Sequence, residues 1–277
     1  MRKKVLIKGP ILTRSGYGEQ TRFLTRALRS RSDLFDLYIQ PLEWGKTSWM
    51  CENNEERQWI DSIIEKTIAH AQQSLGFDAS IQVTIPNEWV NIAPINIGYT
   101  AGIESTRVAH EWLLKSNDMD KVIVISDHAK YGFTETQYSA VNNETGQTTN
   151  IALKTSIDVV NYPVKMYENC PEVDLDLSCD FNFLTVAQMG PRKNIVNTIK
   201  WFVEEFRDEE VGLVLKSNIA KNCLQDRESQ LSYFRGIVRS MGEHKCKVYL
   251  LHGDMTDEEM HSLYTHPKIK SFLLLTH

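Results

Sequence analysis

The sequence predicts an α/β fold of two lobes, each built on a parallel sheet, and three features point to it. Short β-branched runs alternate with amphipathic segments along the whole chain, the rhythm of strand–helix–strand units. The apolar runs, Val122-Ile123-Val124-Ile125 above all, are continuous rather than alternating, as strands covered on both faces require. A length of 277 residues exceeds one ordinary core and suits two.

The first strand is expected at Val5-Leu6-Ile7, followed by a helix over residues 19–29 with Phe23, Leu24, Ala27 and Leu28 on one face, then a strand at Leu37-Tyr38-Ile39. Trp59, Ile60, Ile63, Ile64, Ile68 and Ala71 fall at helical spacing and predict a long helix with a core-facing stripe. Extended segments at Ile81-Gln82-Val83 and Ile95-Asn96-Ile97 precede the apolar run at 122–125. Between Tyr138 and Thr155 the composition turns to Asn, Thr, Gly and Gln, which predicts a loop or exposed hairpin. A break running from Asn161-Tyr162-Pro163-Val164 through Asn169-Cys170-Pro171 into Asp174, Asp176 and Asp180 marks an interlobe linker. The expected division is therefore an N-terminal lobe over 1–170 and a C-terminal lobe over 171–277. In the second lobe strands are expected at 183–186, 213–215, 248–251 and 271–275, and helices at 194–206, 225–241 and 257–264, with Phe202 and Phe206 on a core face. The sequence stops at Thr276-His277 directly after an apolar strand, so the second lobe is read as incomplete.

Composition narrows the function. With 31 Lys and Arg against 36 Asp and Glu the formal charge is −5, which argues against a nucleic-acid coat or a polybasic membrane binder. No run approaches the ~18 consecutive apolar residues of a membrane span, and the apolar stretch after Met1-Arg2-Lys3-Lys4 is too short for a signal peptide, so a cytoplasmic location is expected. Cys51, Cys170, Cys179, Cys223 and Cys246 are odd in number and widely spaced, and read as reduced thiols. In that compartment the Asn143-Glu144-Thr145 sequon is idle. His110-Glu111 does not open a zinc-binding helix, because Leu114 stands where the second histidine belongs. No metal site is expected. His128 and His252, near strand ends, are read as hydrogen-bonded structural histidines rather than bases.

In parallel α/β sheets ligands gather at the carboxyl ends of strands, where loops feed helix N-termini. The loop Gly9-Pro10-Ile11-Leu12-Thr13-Arg14-Ser15-Gly16-Tyr17-Gly18 is so placed, and Gly16 and Gly18 let backbone approach a ligand closely. It is not the dinucleotide fingerprint, since it is long and Thr21 occupies the third glycine position; a plain glycine-rich helix entry is the other reading. Gln188-Met189-Gly190-Pro191-Arg192-Lys193-Asn194 is a second such loop, with two cations where the helix dipole alone would favour acids. A bound diphosphate would remove that misfit, against the alternative of a solvated charged turn. Lys216 ends the next strand and either faces the same crevice or snorkels to solvent.

Five stretches occur together in order: Ser15-Gly16-Tyr17-Gly18; Gly98-Tyr99-Thr100-Ala101-Gly102-Ile103-Glu104-Ser105-Thr106-Arg107 with Glu111-Trp112; Met119-Asp120-Lys121-Val122-Ile123-Val124-Ile125-Ser126; Met189 to Asn194; and His266-Pro267-Lys268-Ile269-Lys270 running into Leu275-Thr276-His277. Jointly they resemble the GT-B glycosyltransferases, and among them the retaining family 4-like group, also called glycosyl transferases group 1. The resemblance spans essentially the whole chain. It implies two Rossmann-like lobes with parallel sheets, a nucleotide-sugar donor held mainly by the C-terminal lobe, and an acceptor held mainly by the N-terminal lobe, with neither metal nor cofactor required. By the same resemblance Lys193 falls on the lysine of a diphosphate-neutralising pair. Gln188 stands at the usual arginine position, with Arg192 as its neighbouring substitute. The glycine loop at Gly16 and Gly18 would close over the phosphates and sugar, and Gly253 and Asp254 would lie near the base.

Breaking a sugar–diphosphate bond needs charge stabilisation on the leaving group and shielding of an oxocarbenium-like centre from water, so two cations and two helix N-termini are apt. The resemblance implies transfer with retention, the leaving diphosphate helping to deprotonate the acceptor hydroxyl on the same face. Glu104, in the loop after Ile95-Asn96-Ile97, is read either as an acceptor-orienting polar catalytic residue or as a helix-capping acid. The group's glycine-rich segment after Thr-His, with its two glutamates, is not represented, so the expectation is a shortened enzyme. The alternative is a non-catalytic nucleotide- or glycan-binding remnant; a nucleotide-sugar epimerase would need acid/base pairs that cannot be assigned. Glycan and lipid-linked acceptors both remain open, as does peripheral contact with a membrane.

Overall fold

The computed structural model describes residues 2–102, 105–141 and 148–276, which divide into two compact units, Met1–Val164 and Lys165–His277. The division falls at the start of the linker, a few residues ahead of the boundary at 170/171.

The first unit is a six-stranded parallel sheet flanked by helices. Its elements are β1 (Lys3–Gly9), α1 (Gly16–Arg29), β2 (Phe35–Pro41), α2 (Glu55–Gln72), β3 (Ala79–Val83), β4 (Ile95–Thr100), α3 (His110–Asn117), β5 (Lys121–Val124), α4 (Asp127–Glu135) and β8 (Ile157–Val159). A hairpin of β6 (Gln137–Val141) and β7 (Thr148–Ala152) is inserted before β8. The sheet order is β2-β1-β3-β4-β5-β8 and every neighbouring pair is parallel. Val5, Leu6 and Ile7 are all buried, consecutive residues facing opposite sides, so both faces of β1 are covered as the unbroken apolar run demands. The antiparallel pairing of β6 with β7 makes the polar stretch after Tyr138 an exposed hairpin. The residues of the Asn143 sequon lie outside the described residues.

Two expectations shift. Helix α1 begins at Gly16 rather than Glu19, because Ser15 caps it, its hydroxyl accepting from the Gly18 amide at 2.9 Å. Its most buried side chains are polar, Gln20, Thr21, Arg22 and Thr25, while Leu24 and Leu28 are half-buried against the core and Ala27 is exposed. In α2, Ile60 is buried and Trp59, Ile63 and Ile64 pack against the core, but Ile68 and Ala71 are exposed, because the buried side continues through Thr67 and His70 instead.

The second unit is a four-stranded parallel sheet in the order β11-β10-β9-β12. Its elements are β9 (Phe181–Val186), α5 (Ile195–Glu205), β10 (Val211–Lys216), α6 (Leu224–Ser240), β11 (Lys247–Leu251), α7 (Asp257–Tyr264) and β12 (Ile269–Phe272). Phe202 is buried and Phe206 packs beside it. Strand β12 starts and ends earlier than residues 271–275, with a register shift between Ile269 and Ser271; Leu273 still donates to the Leu184 carbonyl at 2.8 Å. Residues 160–180 form no helix or strand.

Candidate functional site

In the first unit the glycine loop lies at the carboxyl end of β1 and is held from several sides. Arg22, buried on α1, donates from Nη1 to the carbonyls of Ile11 and Thr13 at 2.6 and 3.0 Å. Thr13 Oγ1 donates to Pro10 O at 2.9 Å and lies 2.8 Å from Ser15 Oγ. The 44–52 segment closes the other side: the Arg14 amide donates to Ser48 O, the Met50 amide to Leu12 O, both at 2.8 Å, and Arg14 pairs with Glu52. The two glycines differ in their surroundings. A Cβ at Gly18 would sit 2.2 Å from Thr13 O, so the absence of a side chain there serves the loop's own packing, whereas Gly16 is exposed and a Cβ there would have no neighbour within 4 Å among the described residues. Open space around backbone is what close approach of a ligand requires, and among the described residues Gly16 has it.

Polar side chains collect at the same sheet edge. The Tyr17 hydroxyl lies 2.8 Å from Thr100 Oγ1 and accepts from the Ala101 amide at 3.2 Å, while its ring packs on Trp44 with centroids 4.5 Å apart. Burial pushes the Tyr17 hydroxyl above its ordinary pKa against the opposing hydrogen bonds. Lys8, at the end of β1, is pulled down by burial, with Glu88 opposing, and its Nζ donates to Glu88 O at 3.4 Å. Glu104 lies outside the described residues. His128 is exposed on α4.

In the second unit Arg192 and Lys193 lie on a single 3-10 turn, Pro191–Lys193, directly before α5. Asn194 follows in the left-handed region at φ 51°, and α5 begins with no side-chain cap and no acid in its first turn. This loop is fastened to the one after β10: Ala187 N donates to Lys216 O at 3.1 Å, Met189 N to Asn218 O at 2.8 Å, and Gln188 Nε2 to Ile219 O at 3.1 Å. Gln188 therefore supports the loop instead of carrying a charge. Lys216 reaches across to the next loop, where its Nζ donates to the Gly253 carbonyl. Gly253 has φ 116°, a conformation that favours glycine, and a Cβ there would meet nothing within 4 Å among the described residues. Beside it Asn222 Nδ2 donates to Asp254 Oδ1 at 2.5 Å.

Asp226, in the first turn of α6, was not singled out from the sequence. Its carboxylate accepts from three consecutive amides, Ile219 at 2.9 Å, Ala220 at 2.7 Å and Lys221 at 3.0 Å, and His252 Nε2 lies 2.9 Å from Oδ1. Burial opposes its ionisation, but the amides and His252 outweigh burial and hold its pKa at about 2. His252 is thus a hydrogen-bonded histidine. The available signal was an acid in a helix's first turn, which dipole logic favours anyway and which therefore attracts no notice. Among the described residues no group of three His, Cys, Asp or Glu side chains is placed to hold a metal ion, and no helix is long and apolar enough to cross a membrane.

No family model and no curated protein matches the chain. Among solved structures it is similar to a lipopolysaccharide outer core galactosyltransferase, WaaB, in its apo form, with 11% identity over 99% of this chain and 74% of that one at a TM-score of 0.51. It is also similar to the apo structure of OtsA, with 11% identity over 99% of this chain and 78% of that one at a TM-score of 0.54. The fold of the chain is GT-B, with Rossmann-like α/β units on parallel sheets.

Proposed function

We propose that this protein is a glycosyltransferase that moves a sugar from a nucleotide-sugar donor to an acceptor hydroxyl with retention, the donor diphosphate being held by Arg192 and Lys193 in the second unit. One contrast supports this reading best. Of the two helices that follow β9 and β10, α6 is preceded by a loop whose amides are filled by the protein's own Asp226 carboxylate. Helix α5 has no side-chain cap, no first-turn acid, and two cations on the turn leading into it. An uncapped positive helix end beside two cations is a place for a multiply charged anion. Similarity in fold to a galactosyltransferase agrees with transfer of a hexose.

Cleavage of the sugar–phosphate bond puts negative charge on the departing diphosphate, and Arg192, Lys193 and the α5 dipole stabilise it as it develops. A diphosphate oxygen takes the proton of the attacking hydroxyl on the same face, so neither a metal nor an enzymic nucleophile enters the scheme. Gly16 gives the transferred group room at the backbone, Glu104 orients the acceptor, and Lys216 with Gly253 forms the surface beside the nucleoside. The acceptor, a glycan or lipid-linked sugar rather than a nucleic acid, is assigned to the first unit, and the reaction to the cytoplasm, with peripheral membrane contact for a lipid-linked acceptor.

Calorimetry with UDP, GDP, ADP and dTDP tests the assignment. The tightest of them is expected to lose about 1–3 kcal/mol of binding when Arg192 and Lys193 are both replaced by Ala. An unchanged affinity would sink the diphosphate site. The matching nucleotide sugar should be slowly hydrolysed to free sugar and nucleoside diphosphate; binding with no turnover in the presence of acceptor sugars would mark a nucleotide-binding module instead.

A further inference from the structure

We propose that the buried Asp226–His252 pair is a positioning element for the donor surface of the second unit, holding the loop after β10 in the shape that sets Lys216 and Gly253 against the nucleotide; this rests on the reading of that edge as a nucleotide-sugar site. The two side chains are only 7% and 2% exposed, for Asp226 and His252 respectively. Side chains this buried, with their polar atoms bonded to protein groups, are suited to holding other segments in place. Their effect is on what they join.

Asp226 belongs to α6, its three amide donors belong to the loop of residues 217–222, and His252 belongs to the loop after β11. One carboxylate thereby fastens three segments. The same loops carry the bonds that shape the edge. Ile219 O and Asn218 O receive Gln188 and Met189 from the Arg192–Lys193 loop, and Lys216 and Asn222 cross to Gly253 and Asp254. His252 is the residue before Gly253, so the direction of its ring bears on where the Gly253 carbonyl meets the Lys216 ammonium. Removing the carboxylate alone would leave three amides and an imidazole N–H without their acceptor, so the bonds stabilise the fold as well as shape it. The carboxylate also supplies direction, because the three amides and the imidazole each need a lone pair at a set angle. A carboxyl held near pH 2 stays ionised, and so stays an acceptor, at any ordinary working pH.

The test compares His252→Leu, which removes the donor to Asp226, with His252→Gln, whose amide nitrogen takes the place of Nε2. Each full-length variant is checked for its unfolding midpoint and titrated with UDP, GDP, ADP and dTDP. The nucleotide that binds the native protein most tightly is expected to bind the folded Leu variant at least about tenfold more weakly. The Gln variant should bind within about twofold of native. A residue that only stabilised the core would shift both midpoints and leave both affinities alone. Native-like affinity in His252→Leu, with Arg192→Ala/Lys193→Ala still weakened, would overturn the positioning role and spare the donor site. Equal losses in the Leu and Gln variants would overturn it too. If no diphosphate binds the native protein, the donor site fails first and the positioning role with it. Should His252→Leu not fold, the isosteric Asp226→Asn carries the same expected loss.

Discussion

A methyl group at Gly18 would fall 2.2 Å from the Thr13 carbonyl oxygen, while one at Gly16 would touch none of the described residues within 4 Å. In urea unfolding, Gly18→Ala is therefore expected to cost about 1–3 kcal/mol through overpacking. Gly16→Ala, with no left-handed backbone to strain, should leave stability unchanged or raise it by up to about 1 kcal/mol. Asp226 makes a pH-dependent prediction. Its native pKa of about 2 lies below the ordinary 3.8, so its stabilisation is full above pH 4 and is lost as the pH falls through 2. At neutral pH that shift corresponds to about 2 kcal/mol. The deficit of Asp226→Asn in urea should thus be near that size at pH 7 and about half of it at pH 3; an equal deficit at both would show that the ionised form is not what matters. The acid itself was legible in the sequence, but its role depends on His252, 26 residues away, and no local pattern announces such a pair.

At the level of elements, α1 shows where periodicity gives only part of a buried face. Of the apolar set Phe23, Leu24, Ala27 and Leu28, Leu24 and Leu28 do pack against the core, but the most deeply buried side chains of the helix are Gln20, Thr21, Arg22 and Thr25. The reason lies across the gap at Gly9, where a side chain would collide with Thr21, its Cβ 2.7 Å from Thr21 Oγ1; the bare strand admits the threonine face of the helix. Thr21 and Thr25 satisfy their hydroxyls within the helix, on Tyr17 O and Thr21 O, both at 2.7 Å, which makes a polar face cheap to bury. Helix α5 yields a prediction with opposite signs for stability and function. Arg192 lies on the turn leading into α5, whose own first turn carries no acid, so the helix dipole should favour Arg192→Glu in the ligand-free protein by about 0.3–1 kcal/mol. The same change should weaken nucleoside diphosphate binding. Thermal unfolding with and without the diphosphate separates the two effects, and a fall in ligand-free stability would count against the dipole argument.

Across the whole chain, the two units are joined by residues without helix or strand, and Val164 and Met166 there are 83% and 87% exposed. Brief digestion with thermolysin should make its first cut between residues 160 and 170, since exposed backbone outside the sheets opens at least cost. A first cut inside β9 to β11, read by mass spectrometry, would contradict the division. Strand β12 occupies one edge of the second sheet, and its displacement from the expected 271–275 follows from pairing: Ser271 and Phe272 align with Phe183 and Leu184 of β9. Hydrophobicity alone located the segment but not its register, which only the partner strand can set.

The sequence by itself determined the α/β class, the parallel sheets and the cationic turn before α5, because each depends on near neighbours: unbroken apolar runs, helical spacing, and the order of residues after a strand. Tertiary structure decided the strand orders, the polar face of α1, and the polar ties among the loops. Arg22 holds Ile11 and Thr13, Lys216 meets Gly253, and Asp226 meets His252. Such bonds come from segments that adjoin only once the sheet has formed, and a single polar contact, unlike an apolar face, repeats with no period that a sequence can display.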